Sequence, residues 1–143
     1  MQKFLIWVFA KAVRPSIKFH FGDDNYFDAD EGEIWLNPKD NEDCGFLRHL
    51  KEVHGFEKTM NYPLWMWSVL HEIGHFETLD FCESDEMMER VICASHSKEE
   101  AEQSVELQDL YFNLESEWEA TEWAIEYVKS HPFLCGAFSV LLR

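Results

Sequence analysis

The chain has 143 residues, enough for one domain with a sizeable core, and its 46% hydrophobic and 15% aromatic content excludes a disordered polymer. Its 28 acidic against 12 basic residues give a formal net charge of −16. Such a charge sets nucleic acid and anionic membrane surfaces aside as partners and favours a protein or peptide, basic or neutral.

The chain opens with "MQKFLIWVFAKA", whose apolar run from Phe4 to Ala10 is too short to span a bilayer and lacks a small-x-small cleavage site after it. It reads as a buried first element, helix or strand, ended by Pro15. "SIKFHF" (Ser16 to Phe21) alternates Ile17, Phe19 and Phe21 with Lys18 and His20, the pattern of a half-buried strand. The turn-rich stretch that follows leaves room for a short hairpin around Tyr26 and Phe27. "EIWLNP" (Glu33 to Pro38) is a further strand, closed by Asn37-Pro38.

The pattern then becomes helical. A helix is expected over Asp43 to Val53, ended by Gly55. A stronger one is expected in "NYPLWMWSVLHEIGHFETL", where Asn61 can cap and Pro63 suits the first turn. A short helix near Asp85 to Ala94 and a long helical run up to Pro132, bent near Asn113, complete the chain. No repeat, low-complexity tract or Pro/Gly/Ser-rich linker divides it, so a single domain over residues 1–143 is expected. A small sheet followed by packed helices is an α+β order. The cysteines at 44, 82, 93 and 135 form no CxxC and read as reduced thiols of a cytoplasmic protein.

Chemistry concentrates in "LHEIGHF", Leu70 to Phe76. Positions four apart lie one above the other on a helix, so His71 and His75 can reach one ion, with Glu72 beside it. Zn²⁺ takes imidazole nitrogen readily, and a catalytic site uses three protein ligands plus an open position. Glu72 is then the expected general base, drawing a proton from water that the metal has made more acidic. Apolar residues flank the motif on both sides, so this helix is expected to be buried. A buried His-Glu-His group calls for compensation, and metal coordination supplies it. Gly74 allows another backbone to come close.

The third ligand is expected on the later helix. In "LESEWEATEWAIEYV", Leu114, Glu117, Thr121, Ala124, Ile125 and Val128 fall on one stripe with Ala120 at its edge. Glu117 is the carboxylate on that stripe, and Ala120 and Ala124 are small enough for close helix packing. Glu119, Glu122 and Glu126 point away. Glu115 stays open, because Glu115 and Glu119 have the carboxylate spacing of other glutamate-liganded zinc peptidases.

A strand ending "IWLNP", a helix with "LHEIGH" and a later "EWEATEWA" together resemble the ImmA/IrrE family of metallo-endopeptidases, over Glu33 to Val128. The resemblance implies a zincin-like fold, zinc held by His71, His75 and Glu117, and cytosolic cleavage of a regulatory protein such as a repressor. Thr121 stands where the family usually has Asn or Asp. The gap from His75 to Glu117 is longer than usual, which makes the segment around 81–97 an insertion. A competing reading keeps the metal but acts through protein contact.

Other candidates are weaker. Cys82, Cys93 and His96 are expected to be packed thiols and a loop histidine rather than a second zinc site. His49 and His54, five apart, should not share a helix face and are expected on the surface or in a loop. Tyr111, Tyr127, His96 and His131 are candidate oxyanion donors. Trp65 and Trp67 are expected to pack.

Overall fold

The computed structural model describes residues 1–23, 25–28, 31–38, 46–78 and 113–141. The opening apolar run is helix α1 (Gln2–Val13). Strands β1 (Lys18–Phe21), β2 (Tyr26–Asp28) and β3 (Glu33–Leu36) follow, then α2 (Phe46–Glu52) and a 3-10 turn (Glu57–Asn61). Helix α3 (Leu64–Thr78) carries the His-Glu-x-x-His run, and α4 (Glu115–Ser130) and α5 (Pro132–Leu141) close the described chain. The architecture is α+β, as expected, with a mixed three-stranded sheet. The expected helix near Asp85 to Ala94 lies outside the described residues.

Strand order is β1-β3-β2. β3 runs parallel to β1 and antiparallel to β2, with which it forms the expected hairpin. That turn uses Gly32 at φ 64° and an Asp28 side chain that accepts from the Glu31 amide. The register sorts side chains by face. Phe19, Ile34 and Phe27 are paired across the three strands and form a row facing the core. His20, Trp35 and Tyr26 form the alternate row, stacked with centroids 4.7 Å and 5.9 Å apart on the outer face.

Helix α3 lies at the centre of the molecule. Met66, Trp67 and every residue from Val69 to Gly74 are buried, polar ones included. The helix starts directly after Pro63, whose carbonyl accepts from the Met66 and Trp67 amides, while Asn61 closes the preceding 3-10 turn. Trp67 is fully buried, as expected of a packing residue, and donates its indole N–H to the Thr59 carbonyl at 3.0 Å. Trp65 packs edge-on against Phe9 of α1. Arg14, at the end of α1, lies 3.8 Å over the Phe76 ring and pairs with Glu77, which ties α1 to the far end of α3.

α3 packs most extensively against α4, and the closest point of that interface is Gly74 on Ala120. A Cβ built on Gly74 would stand 2.5 Å from the Ala120 carbonyl oxygen and 3.0 Å from its Cα. Backbone therefore touches backbone here. Intrinsic helix propensity favours alanine over glycine by about 1 kcal/mol, but a carbonyl oxygen within its own helix cannot swing aside as a side chain can. Overpacking should win. Gly74→Ala is expected to destabilise the protein by about 1–3 kcal/mol in urea unfolding; a gain in stability would show that the helices are not in contact.

Candidate metal centre

Two helices build the centre. On α3, His71 and His75 sit one turn apart, with ring centroids 4.7 Å apart and planes nearly perpendicular. On α4, the buried face consists of Ser116, Glu117, Ala120, Thr121, Ala124, Ile125 and Val128, the stripe that helical phase predicts. Glu117 is the carboxylate on it, 4% exposed. One of its oxygens lies 2.7 Å from His71 Nε2 and the other 3.3 Å from His75 Nε2. The three ligand atoms lie within 4.8 Å of one another. Glu115 is exposed in the first turn of α4, and Glu119 is only half-buried, so Glu117 is the third member.

Burial by itself would raise the Glu117 carboxyl. Hydrogen bonding and charge from His71, and then from His75, overcome it and hold the group well below its ordinary range. With a folded-state value below the unfolded one, the carboxylate stabilises the fold at neutral pH. That contribution is lost as pH falls below the ordinary carboxylate range and through the folded value.

Thr121 decides which nitrogen of His71 is available. Its hydroxyl donates to the Glu117 carbonyl at 2.8 Å, so its single proton is committed. The oxygen, 3.2 Å from His71 Nδ1, then accepts Nδ1–H. Nε2 is the nitrogen that faces Glu117 and His75; it donates to the Glu117 carboxylate at 2.7 Å, and a metal ion bound there would take the place of that proton. This residue stands where the sequence resemblance expects Asn or Asp, and it still supplies an acceptor to the ring.

Two aromatic rings frame the imidazoles. Phe27 of β2 stacks parallel to His75 with centroids 6.2 Å apart, and Phe46 at the start of α2 meets His71 edge-on at 5.0 Å. Neither was legible in the sequence, because both contacts are made by strands and helices far away in the chain. Glu72 is buried on the same turn of α3 as the two histidines.

The structure corrects the expectation for His49 and His54. His49 is fully buried on α2, and the His54 side chain is fully buried just beyond it. Their rings meet at 5.0 Å, and His54 lies 3.9 Å from the Trp118 ring while its Nδ1 is 2.5 Å from Glu122. The helical-wheel argument fails because the helix stops at Glu52. The His54 amide turns back to the His49 carbonyl, Gly55 takes φ 71°, and the chain folds over its own last turn. Glu122, expected to be solvated, is therefore half-buried as the partner of His54.

Of the candidate oxyanion donors, Tyr111 and His96 lie outside the described residues, as do Cys82 and Cys93. Tyr127 is ten residues beyond Glu117 on α4, about 15 Å along the axis, and stacks with Trp123 and His131. His131 is exposed at the C-cap of α4. Neither reaches the centre. A surface cavity of about 470 Å³ lined by Phe56, Tyr62, Val128 and Pro132 with Lys58 and Lys129 lies at that same far end.

The donor set suits a divalent cation of the zinc type: two imidazole nitrogens and one carboxylate supply three of the four positions of a tetrahedral ion. Comparison with protein-family models, with curated proteins and with solved structures finds no match for this chain. The assignment therefore rests on geometry. Thr121→Val removes the acceptor for His71 Nδ1–H at nearly constant volume. It is expected to weaken zinc binding by about 10–100-fold in competition with a chromogenic chelator, with helix content unchanged. Thr121→Ser, which keeps the hydroxyl, is expected to restore the affinity.

Proposed function

We propose that this protein is a zinc-dependent metallo-endopeptidase of zincin-like architecture, with His71, His75 and Glu117 as ligands and Glu72 as general base. One observation carries the reading: two imidazoles and one carboxylate converge at a buried point, and a second carboxylate stands beside them on the same helical turn. The resemblance of "IWLNP", "LHEIGH" and "EWEATEWA" to ImmA/IrrE metallo-endopeptidases supports it, and suggests a regulatory protein such as a repressor as substrate.

A zinc ion held by these residues would supply a Lewis acid that polarises the scissile carbonyl and brings the pKa of water down towards about 7. The chain's own residues do the rest. Glu72 takes a proton from the attacking water and delivers it to the departing amine nitrogen, acting first as base and then as acid. Glu117, which reaches both histidines, would neutralise part of the cation's charge, and Thr121, by accepting from His71 Nδ1–H, would leave the Nε2 lone pair to the ion. The apolar walls made by Phe27 and Phe46 reduce competing solvent around the imidazoles.

β2 offers a way to hold the substrate. Among the described residues it is an edge strand of the sheet, paired to β3 on one side. A peptide pairing there in extended form would run past Phe27 and therefore past His75. Main-chain hydrogen bonds would then fix its register while leaving its side chains free to select.

Two variants separate metal binding from catalysis. Glu72→Gln should retain stoichiometric zinc yet lose peptide cleavage by a factor of at least about 100, and cleavage at the wild-type rate would sink the mechanism. Glu117→Ala should lose the metal itself, measured by elemental analysis after dialysis.

A further inference from the structure

The net charge hides a separation along the chain. All 28 acidic residues lie between Asp23 and Glu126. Residues 1–22 carry Lys3, Lys11, Arg14 and Lys18 with no acid, and residues 127–143 carry Lys129 and Arg143 with none. The fold brings these two acid-free ends together. α1 and α5 are neighbours through Phe9 and Phe138, whose ring centroids lie 5.2 Å apart.

Among the described residues, the same two helices carry most of the exposed large hydrophobic side chains. Among the described residues, every exposed large hydrophobic side chain except Tyr26 and Val53 stands on α1, its N-cap or α5. Phe4 is 62% exposed, Leu141 63% and Phe133 92%, with Trp7 and Val140 also outward. Single exposed apolar residues need no explanation, but this many on two adjoining helices do. Lys3, exposed, borders them with its Nζ 5.7 Å over Phe21 of β1, and Lys11 has its Nζ 5.8 Å over the Trp7 ring while donating one hydrogen bond to the Ile17 carbonyl.

We propose that the α1/α5 surface docks the protein on an anionic lipid bilayer, with the two helices lying in the headgroup region rather than crossing it. No helix among the described residues is long and apolar enough to cross a membrane. Aromatic and aliphatic side chains bordered by lysines match a bilayer interface: the apolar groups enter the acyl boundary and the ammonium groups meet lipid phosphates. A second copy fits less well, since symmetric pairing would bring the lysines of both copies together between two bodies of net charge −16. Against lipid, the acidic body instead turns to solvent, where physiological salt screens it over about 8 Å. The −16 that speaks against membranes in the sequence becomes an orienting device once its distribution is known. The inference requires neither the metal nor catalysis.

Co-sedimentation with vesicles tests it, using the full chain, phosphatidylcholine vesicles, and vesicles with an equal part of phosphatidylglycerol. The protein should sediment with the anionic vesicles and be released by salt. Lys3→Glu should weaken that binding on the order of tenfold. The combined variant Phe4→Gln, Trp7→Gln, Phe133→Gln and Leu141→Gln should abolish it while keeping the wild-type circular dichroism spectrum. The proposal is overturned by absence of sedimentation with either vesicle, by equal binding to both, or by anionic binding that survives the combined variant. A concentration-dependent dimer in light scattering that the combined variant loses, without vesicle binding, would instead give the surface to a second copy. Capture of one stoichiometric protein partner under the same condition would give it to that protein.

Discussion

The contact between Gly74 and Ala120 is the constraint on which the site depends. Helix axes approach to a distance set by the side chains between them, commonly about 8–10 Å. A glycine meeting the backbone of its neighbour belongs at the short end of that range. At that separation a glutamate on one helix reaches imidazoles on the other with both carboxylate oxygens. The interface that forms the core between α3 and α4 and the interface that gathers the ligands are thus the same surface. A buried carboxylate would be costly in an apolar interface, and here two imidazoles offset the cost.

Order at the ligands is maintained from outside the ligand set. One hydroxyl, that of Thr121, links the backbone of α4 to the ring of His71 and so couples the tautomer to helix packing. A second ring of contacts lies around this. Phe46 of α2 touches His71, and the same short helix is held to α4 through His54, Trp118 and Glu122. Burying His49 and His54 therefore has a structural purpose: it fastens α2 over the centre. The sheet contributes Phe27 to the other imidazole from β2, its edge strand among the described residues.

Sequence and structure meet most closely where periodicity is strong. The burial of the motif-bearing helix follows from its apolar flanks, and the inward stripe of α4 follows from 3.6-residue phase, which favours Glu117 over Glu119, Glu122 and Glu126; Glu115 stays open in the sequence and is set aside by its exposure in the fold. The strands β1 and β3 were legible in the same way from alternation and turn residues, while around Tyr26 and Phe27 the sequence left only room for a short hairpin. Reading His49 and His54 failed at a helix end, because phase carries no information once the chain leaves the helix, and the return of the backbone over His49 is a property of the turn at Gly55.

What the sequence determined by itself, then, is local and periodic: which segments are helix or strand, which face of each is apolar, and which carboxylate points inward. Tertiary structure alone decided the rest. It set the approach of α3 to α4, the pairing of Thr121 with His71, the framing by Phe27 and Phe46, and the contact of α1 with α5 through Phe9 and Phe138. The physical reason is that side-chain phase depends on neighbours within a few residues, whereas these contacts join residues separated by most of the chain and exist only once the helices and sheet have packed.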